Sequence, residues 1–496
     1  MRKLLVAFGL GLMAGSVSLA EPAPVPPPPP RTIAAADLRS DADLLLKAYE
    51  ALHPGLNRYR TPAEIDAAHA SLMREFRRDR TLADAHLAIS RFTTYIECGH
   101  TYANFYNQGD AVRDALLRAP RVPFEFRWID RRMIVTRSFA EVPELRRGAE
   151  VLSIDGHAAS RILDALLPYS RADGANTAKR IANLEVQGFD RIEAFDVFFP
   201  LVFPRRDGAP FELVVRPAPG SAARKIEVPA MAYDARPQHG GDPEGDANPW
   251  EYRDLRAGVG YLRMGNWALY DSKFDWQTYL EGVFADLVAR QVPDLVIDLR
   301  GNEGGLSVGD VLLAHLTTSD LPAEPVVRKT RYRKVPEEFR PVLSTWDKSF
   351  YDWGDAAVDL GDGFFRLTKY DDDPAGAVVR AKAPRYAGRV WVLIGAVNSS
   401  ATFEFASAIR RNRLGTLVGQ PTGGNQRGIT GGAFFFMTLP KTGIEVDVPL
   451  IGQFPVSSTP LPDAGLEPDV YVQPTVRDIA DGRDVELAAV LTRIGK

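Results

Sequence analysis

The feature that most limits what this chain can fold into is the run Leu295-Val296-Ile297-Asp298-Leu299, followed at once by Arg300-Gly301-Asn302-Glu303-Gly304-Gly305 and an apolar helical stretch at 308–316. A short, continuous apolar run that ends in glycines reads as a strand buried on both faces, and such strands belong to parallel sheets covered by helices. Two further units repeat the pattern. Residues 390–397 form a second apolar run that passes directly into a helix from about 400 to 411, and 414–419 form a third. Residues 433–439 and 444–449 read as a hairpin around Lys441-Thr442-Gly443. The segment from about 246 to 475 is therefore expected to be an α/β core. Residues 320–385 are rich in charge and aromatics and read as an inserted subdomain or lid. Asp371-Asp372-Asp373 inside that stretch lacks the ligand spacing of a Ca²⁺ loop and reads as a solvated turn.

Upstream, two regions of different character precede the core. Residues 34–107 are helical in pattern. Ser40 is expected to cap a run through 52. Thr61, Pro62 and Glu64 have the spacing of a capping box, and Thr81 is expected to cap a helix through 97. Residues 108–245 read as short strands with few helices: 122–127 and 133–136 flank the turn at Asp130, and 148–156 form a strand ending in a tight turn before a helix. That last stretch resembles the peptide-binding PDZ module, and residues 237–248 read as a linker. Residues 476–496 are expected to form a terminal helix.

Met1-Arg2-Lys3, an apolar stretch and Ser18-Leu19-Ala20 have the layout of a signal peptide over 1–20, and the proline-rich residues 21–33 read as a spacer. The expected location is periplasmic or secreted, with Glu21 as the mature N-terminus. With 60 basic and 64 acidic residues the net charge is −4, which argues against nucleic acid as a partner. Cys98 is the only cysteine, so no disulfide forms within the chain, and a Cys/His metal cluster is hard to build. No metal or cofactor is expected. No apolar segment beyond the N-terminus is long enough to span a membrane.

Four segments carry chemistry when taken together: Gly99-His100-Thr101, residues 298–305, Asn398-Ser399-Ser400-Ala401, and Gly419-Gln420-Pro421-Thr422-Gly423-Gly424. Ser400 lies between an apolar strand and a helix, so its hydroxyl would stand at the carboxyl end of the sheet, where open α/β sheets place their sites. The free N–H of Ala401 at a helix start could stabilise an oxyanion, and Gly304-Gly305 offers a second amide. The plainer alternatives are a serine N-cap and an ordinary strand-to-helix turn.

The Asp-Leu-Arg-x-Asn-x-Gly-Gly segment, the strand–Ser–Ala–helix unit, the Gly-x-Pro-Thr-x-Gly turn and the closing Gly465-Leu466-Glu467-Pro468-Asp469-Val470 together resemble the S41 peptidases. These include carboxyl-terminal processing proteases, tricorn core proteases and retinoid-binding relatives. The resemblance implies a ClpP/crotonase-like α/β core, Ser400 as nucleophile, and an oxyanion hole from Ala401 with Gly304 or Gly305. The Ser–Lys branch has a lysine after the Gly-x-Pro-Thr turn, where this chain has Asn425-Gln426-Arg427, and arginine stays protonated. Gly99-His100-Thr101 is similar to the Ser-His segment of tricorn core proteases, which implies His100 as general base, with an apparent pKa of roughly 6–7. By the same comparison Asp463 is the nearest match to a supporting carboxylate. Two positions depart from the pattern: Gly99 stands where tricorn has Ser, and Phe403 where many members have Glu.

The implied activity is hydrolysis of peptide or unfolded-protein substrates through an acyl-enzyme. The alternative is a non-catalytic peptide or hydrophobic-ligand binder on the same scaffold. Two rival nucleophiles fit less well. Ser307, in Gly305-x-Ser307-x-Gly309, would need a later histidine, and the only one is His315 in the helix that follows. Cys98 and His100, two residues apart, would point to different sides of a helix.

Overall fold

The computed structural model describes residues 31–495 other than 207, 240–247, 257, 323 and 370–377. The expected signal peptide, most of the proline spacer, the centre of the expected linker and the aspartate triplet at 371–373 lie outside them. Among the described residues no helix is long and apolar enough to cross a membrane.

The core sheet has six strands in the order Val470–Tyr471, Thr416–Gly419, Arg389–Ile394, Asp294–Asp298, Val259–Arg263, Glu251–Arg256. All neighbours run parallel except the last pair, an antiparallel edge. Asp294–Asp298 is buried at every position because helices cover both faces. Trp276–Ala289, Val308–Leu316 and Ala401–Arg411 pack on one side, where Leu280, Phe284, Leu312 and Phe405 fill the layer. Val485–Ile494 covers the other side with Val490 against Val296 and Leu393. The expected single terminal helix is two, Val476–Ala480 and Val485–Ile494, separated at Gly482, whose φ is +66°.

The stretch 320–385, read as an inserted subdomain or lid, shares a sheet with the long hairpin. Val326–Thr330 pairs with Glu445–Pro455 of the long hairpin, and Phe365–Leu367 and Ala357–Asp359 extend the same sheet. Leu343–Ser344 closes its other edge on Thr430–Thr438. The hairpin strands Thr430–Thr438 and Glu445–Pro455 are longer than their apolar cores suggest, because they continue as the middle of this second six-stranded sheet.

The N-terminal helices are Ala35–Leu52, Pro62–Glu75 and Leu82–Tyr95. Thr61 and Glu64 form the expected reciprocal capping box, and Thr81 accepts from Asp84 N. Ser40 caps nothing. The first helix starts six residues earlier because Asp79, from a distant loop, accepts from Ala35 N at 2.8 Å and satisfies one of the free amides of the first turn. The middle region is a six-stranded antiparallel sheet: five strands in the order Phe124–Ile129, Arg132–Ser138, Glu150–Ile154, Phe211–Arg216, Arg224–Val228, with His157–Ala158 paired to Glu150–Ile154. One continuous apolar cluster joins the helices, this sheet and the second sheet, running from Ile33 to Ile451. The helical layer is therefore packed onto the long hairpin.

A buried carboxylate fixes that contact. Asp41, fully buried in the first helix, accepts from Lys441 N, from Thr442 N at 2.8 Å and from Thr442 Oγ at 2.8 Å. Burial pushes its pKa up, and these donors work against that rise. Asp41→Ala would leave buried amides unpaired, at a cost of about 2–3 kcal/mol. The urea midpoint should fall accordingly, while Lys441→Ala, which keeps the backbone donors, should move it little. An unchanged midpoint for Asp41→Ala would contradict this role.

Candidate active site

Ser400 sits at the end of a tightly held turn. Its φ of +51° and ψ of −129° lie in a region that side chains rarely adopt, which costs on the order of 1–3 kcal/mol. Asn398, fully buried, stabilises the turn from below. Its Nδ2 donates to Leu299 O at 2.7 Å and Asn302 O at 2.8 Å, its Oδ1 accepts from Gly395 N, and its carbonyl accepts from Gly423 N and Gly424 N. Thr422 in turn binds Leu466 through both backbone and side chain. The motifs around residues 298, 398, 422 and 466 are thus one hydrogen-bonded assembly under the serine. The serine N-cap reading does not hold: Ser400 occupies the cap position of Ala401–Arg411, yet its side chain makes no cap bond, and its hydroxyl has no partner among the described residues.

The two glycines differ in what their amides can do. Gly304 N donates to Asn302 Oδ1 at 2.9 Å, which removes it as an oxyanion donor. The N–H groups of Gly305 and Ala401 have no acceptor among the described residues. A Cβ on Gly304 (φ +114°) would lie 3.0 Å from both Ala401 N and Ser400 Cβ, so this residue must be glycine for the two turns to meet. A Cβ on Gly305 (φ +137°) would lie 2.2 Å from the carbonyl of Trp267. Asp298, Arg300 and Tyr261 are scaffold: Arg300 and Tyr261 donate to Asp298 at 2.6 and 2.7 Å, and Arg300 ties the turn to Asp484.

His100 comes from the turn after Leu82–Tyr95. That helix ends at Tyr95, and Glu97 adopts φ +60°, so residues 98 and 100 are not on a helix and the phase argument separating them fails. Cys98 Sγ, a ring nitrogen of His100 and a carboxylate oxygen of Asp173 lie within 4.8 Å of one another. Burial pushes the Cys98 thiol up to about 12, so it stays protonated and is a poor nucleophile. His100 is pulled down to about 4, first by burial and then by the Arg171 and Lys179 charges, with Asp173 opposing. Buried Nδ1 of His100 and buried Oδ2 of Asp173 both lack hydrogen-bond partners. Asp173 Oδ1 accepts from Gly99 N at 2.8 Å, and His53 Nε2 meets Thr101 Oγ at 2.7 Å, so both flanks of His100 are held. No hydrogen bond joins His100 to Ser400. The ring packs beside Gly431, 3.4 Å from where a Cβ would be.

Asp463 is engaged elsewhere. Its carboxylate accepts from Asn425 Nδ2 at 2.7 Å and Ala175 N at 3.1 Å and pairs with Arg427 at 3.5 Å. Asp173, not Asp463, is the carboxylate beside His100. His315 stacks on Phe284 at 4.5 Å and meets Pro384 O at 2.8 Å, which leaves Ser307 without a base.

The residues that sequence reasoning missed come from one stretch of the middle region, 170–183. Lys179, 1% exposed, reaches from the short helix Thr177–Ala182 to place Nζ 2.5 Å from Ser399 Oγ and 3.2 Å from Glu303. Burial lowers its pKa, with Glu303 opposing. Glu303 is drawn down to about 2 against its own burial by Arg171 and Lys179. Arg171 also donates to Gly99 O at 2.9 Å, and Asn176 Nδ2 donates to Thr422 O and Gly424 O. Nothing in the spacing of Asn176, Lys179 or Asp173 announces a site. Only the Asn before a short helical run, a cap signal, is visible, and Asn176 does cap that helix.

Residues 258–472 match the family model of Peptidase family S41. No curated protein shows significant sequence similarity to the chain. Among solved structures, mature CPAF complexed with lactacystin is similar in fold, with a TM-score of 0.66 at 15% identity over 93% of this chain and 98% of that one. A second structure of mature CPAF has a TM-score of 0.62 at 15% identity, covering 92% and 96%. A photosystem II D1 C-terminal processing protease aligns over 91% of this chain and 98% of its own, with a TM-score of 0.41 at 14% identity. The likeness to CPAF is one of fold and extends over the helical and middle regions as well as the core. The α/β core of this chain, residues 258–472, is thus similar in sequence to peptidase family S41, and the chain shares its fold with mature CPAF.

Proposed function

We propose that the protein is an exported serine peptidase in which Ser400 attacks the scissile carbonyl, His100 is the general base, and the amides of Ala401 and Gly305 receive the developing oxyanion. The observation that carries this reading is the strained Ser400 turn: among the described residues its hydroxyl has no partner, nor do the amides of Ala401, at a helix N-terminus, and of Gly305, in the adjoining turn. Strain of this kind is retained where it has a use, and amides aimed at a developing charge are worth several kcal/mol in catalysis. Ser400 Oγ would lose its proton to His100 as the tetrahedral intermediate forms. His100 would return that proton to the leaving amine, and water would then release the acyl group by the same route. Export rests on residues 1–20 alone, and N-terminal sequencing of secreted protein should begin at Glu21.

Asp173 fits the role of positioning residue for His100, and Lys179 that of a fixed cation beneath the nucleophile turn. A buried lysine with a lowered pKa is also the rival base, and the variants separate the two. Loss of a general base costs on the order of 10²–10⁴ in rate. His100→Ala should lower kcat for peptide hydrolysis by that order, and Ser400→Ala should abolish it. Lys179→Met should weaken catalysis but leave a His100-dependent profile. Near-full activity in His100→Ala with none in Lys179→Met would transfer the role of base to Lys179. Hydrolysis by none of the proteins, wild type included, would favour the binder on the same scaffold.

The pH profile carries its own sign. Only neutral His100 accepts a proton, so kcat/KM falls as pH drops through its pKa. With that value held at about 4 by burial, activity should stay level well below the 6–7 of a solvated imidazole. The charged groups facing the ring are Asp173, Arg171, Lys179 and Glu303. Removing the Lys179 cation should move the acidic limb to higher pH, and Asp173→Asn should move it lower while reducing kcat at least about tenfold. Asp463→Asn should change neither. An acidic limb at pH 6–7 in the wild type would contradict the burial of His100.

A further inference from the structure

Against the turn at 301–303, which leads into Gly304 beside the serine, lies a half-open cleft. Its floor is shared with the site. Gly301, Glu303 and Val397 line it, Gly304 follows Glu303 directly, and a Cβ on Gly304 would touch Ser400. The walls are aromatic: Tyr102, Phe105, Tyr106 and Phe189 contribute rings, with Phe189 packed over Gly301. One of these rings already carries a cation, since the Arg171 guanidinium sits 4.5 Å above Tyr102.

The charge inside the cleft is unbalanced. Four carboxylates line it, from Glu185, Asp190, Glu193 and Glu303, against one basic side chain, Arg171. Three of the four are matched: Glu185 by Arg127, Glu193 by Arg236, and Glu303 by Arg171 and Lys179. Arg171 is fully committed to Glu303 and Gly99 O. Asp190, exposed at the rim, has no ion-pair or hydrogen-bond partner among the described residues. Aromatic faces accept the stem and head of a cationic side chain, and an unmatched carboxylate at the mouth completes its pairing.

We propose that this cleft is a substrate subsite for a lysine or arginine side chain, with Asp190 as the specificity-determining carboxylate. The proposal rests on the reading of Ser400 as the nucleophile, because it takes the cleft as the place where the residue next to the scissile bond binds. Acidic side chains would meet four carboxylates, and a purely apolar one would leave Asp190 unmatched.

The test uses internally quenched peptides that differ at one position, with Arg, Lys, norleucine or Glu beside the cleavage point. With the full-length protein, kcat/KM for Arg and Lys should exceed that for norleucine by about tenfold or more. Asp190→Asn should bring that ratio below about threefold, and Asp190→Lys should make the Glu peptide the favoured one. Binding of the same peptides to Ser400→Ala, read by fluorescence anisotropy, reports on the cleft without hydrolysis. Preferential binding of the Arg and Lys peptides with no cleavage by the wild type would uphold the subsite and sink the peptidase reading. Preference for norleucine or Glu in the wild type, or an Arg preference unchanged in Asp190→Lys, would overturn the subsite.

Discussion

The buried contact between Lys179 Nζ and Ser399 Oγ, at 2.5 Å, is the point on which the site depends. An ammonium group taken fully out of water is costly unless its donors are satisfied. Here Glu303 and Ser399 supply the acceptors, so the lysine is stable only while the core turn, the serine turn and the middle region are in register. The same stretch of chain grips the other half of the site. Arg171 and Asp173 hold the carbonyl and amide of Gly99, and Asn176 holds the turn at 422–424. One segment of the middle region thus fixes where His100 stands relative to Ser400. Removing a partner from such a network costs far more than the network contributes in net stability, because it strands a charge.

That arrangement explains why His100 is unlike a histidine in solution. It sits in a closed environment with two cations and two carboxylates around it, and burial together with the cations outweighs the carboxylates. In the proposed role of base, His100 would therefore be neutral across ordinary pH and able to accept a proton. The cost is a weaker driving force for accepting it, which the Asp173 carboxylate counters as the imidazolium forms. The Cys98 thiol, beside both groups, stays protonated and packs as a small apolar side chain.

How much of this was legible in the sequence follows from the range of the forces involved. Local signals were read well. The Thr61 capping box, the buried strand Asp294–Asp298 and the helix Val308–Leu316 follow from neighbours along the chain, and the motif assembly around Asn398 is dense enough in sequence to carry the family resemblance. Reading failed where a distant residue intervened. Asp79 moved a helix start away from Ser40, Val326–Thr330 joined the hairpin sheet, and a left-handed Glu97 broke the helical phase between Cys98 and His100. Lys179 and Asp173 were invisible for the same reason. Their roles arise from tertiary placement more than 200 residues from Ser400 in one direction and about 70 from His100 in the other, and no periodicity records such a meeting. The oxyanion pair was half legible: glycine at 304 is required for close approach, but its amide is consumed by Asn302, a side-chain bond that only three-dimensional geometry reveals.

The central claim is that the strained Ser400, and no other serine in this crowded turn, is the nucleophile. Labelling the full-length protein with a fluorophosphonate and locating the adduct by peptide mass spectrometry tests it most directly. The account expects a single adduct on Ser400, lost when the protein is unfolded before labelling. An adduct on Ser399 or Ser307, or none on the native protein, would contradict it.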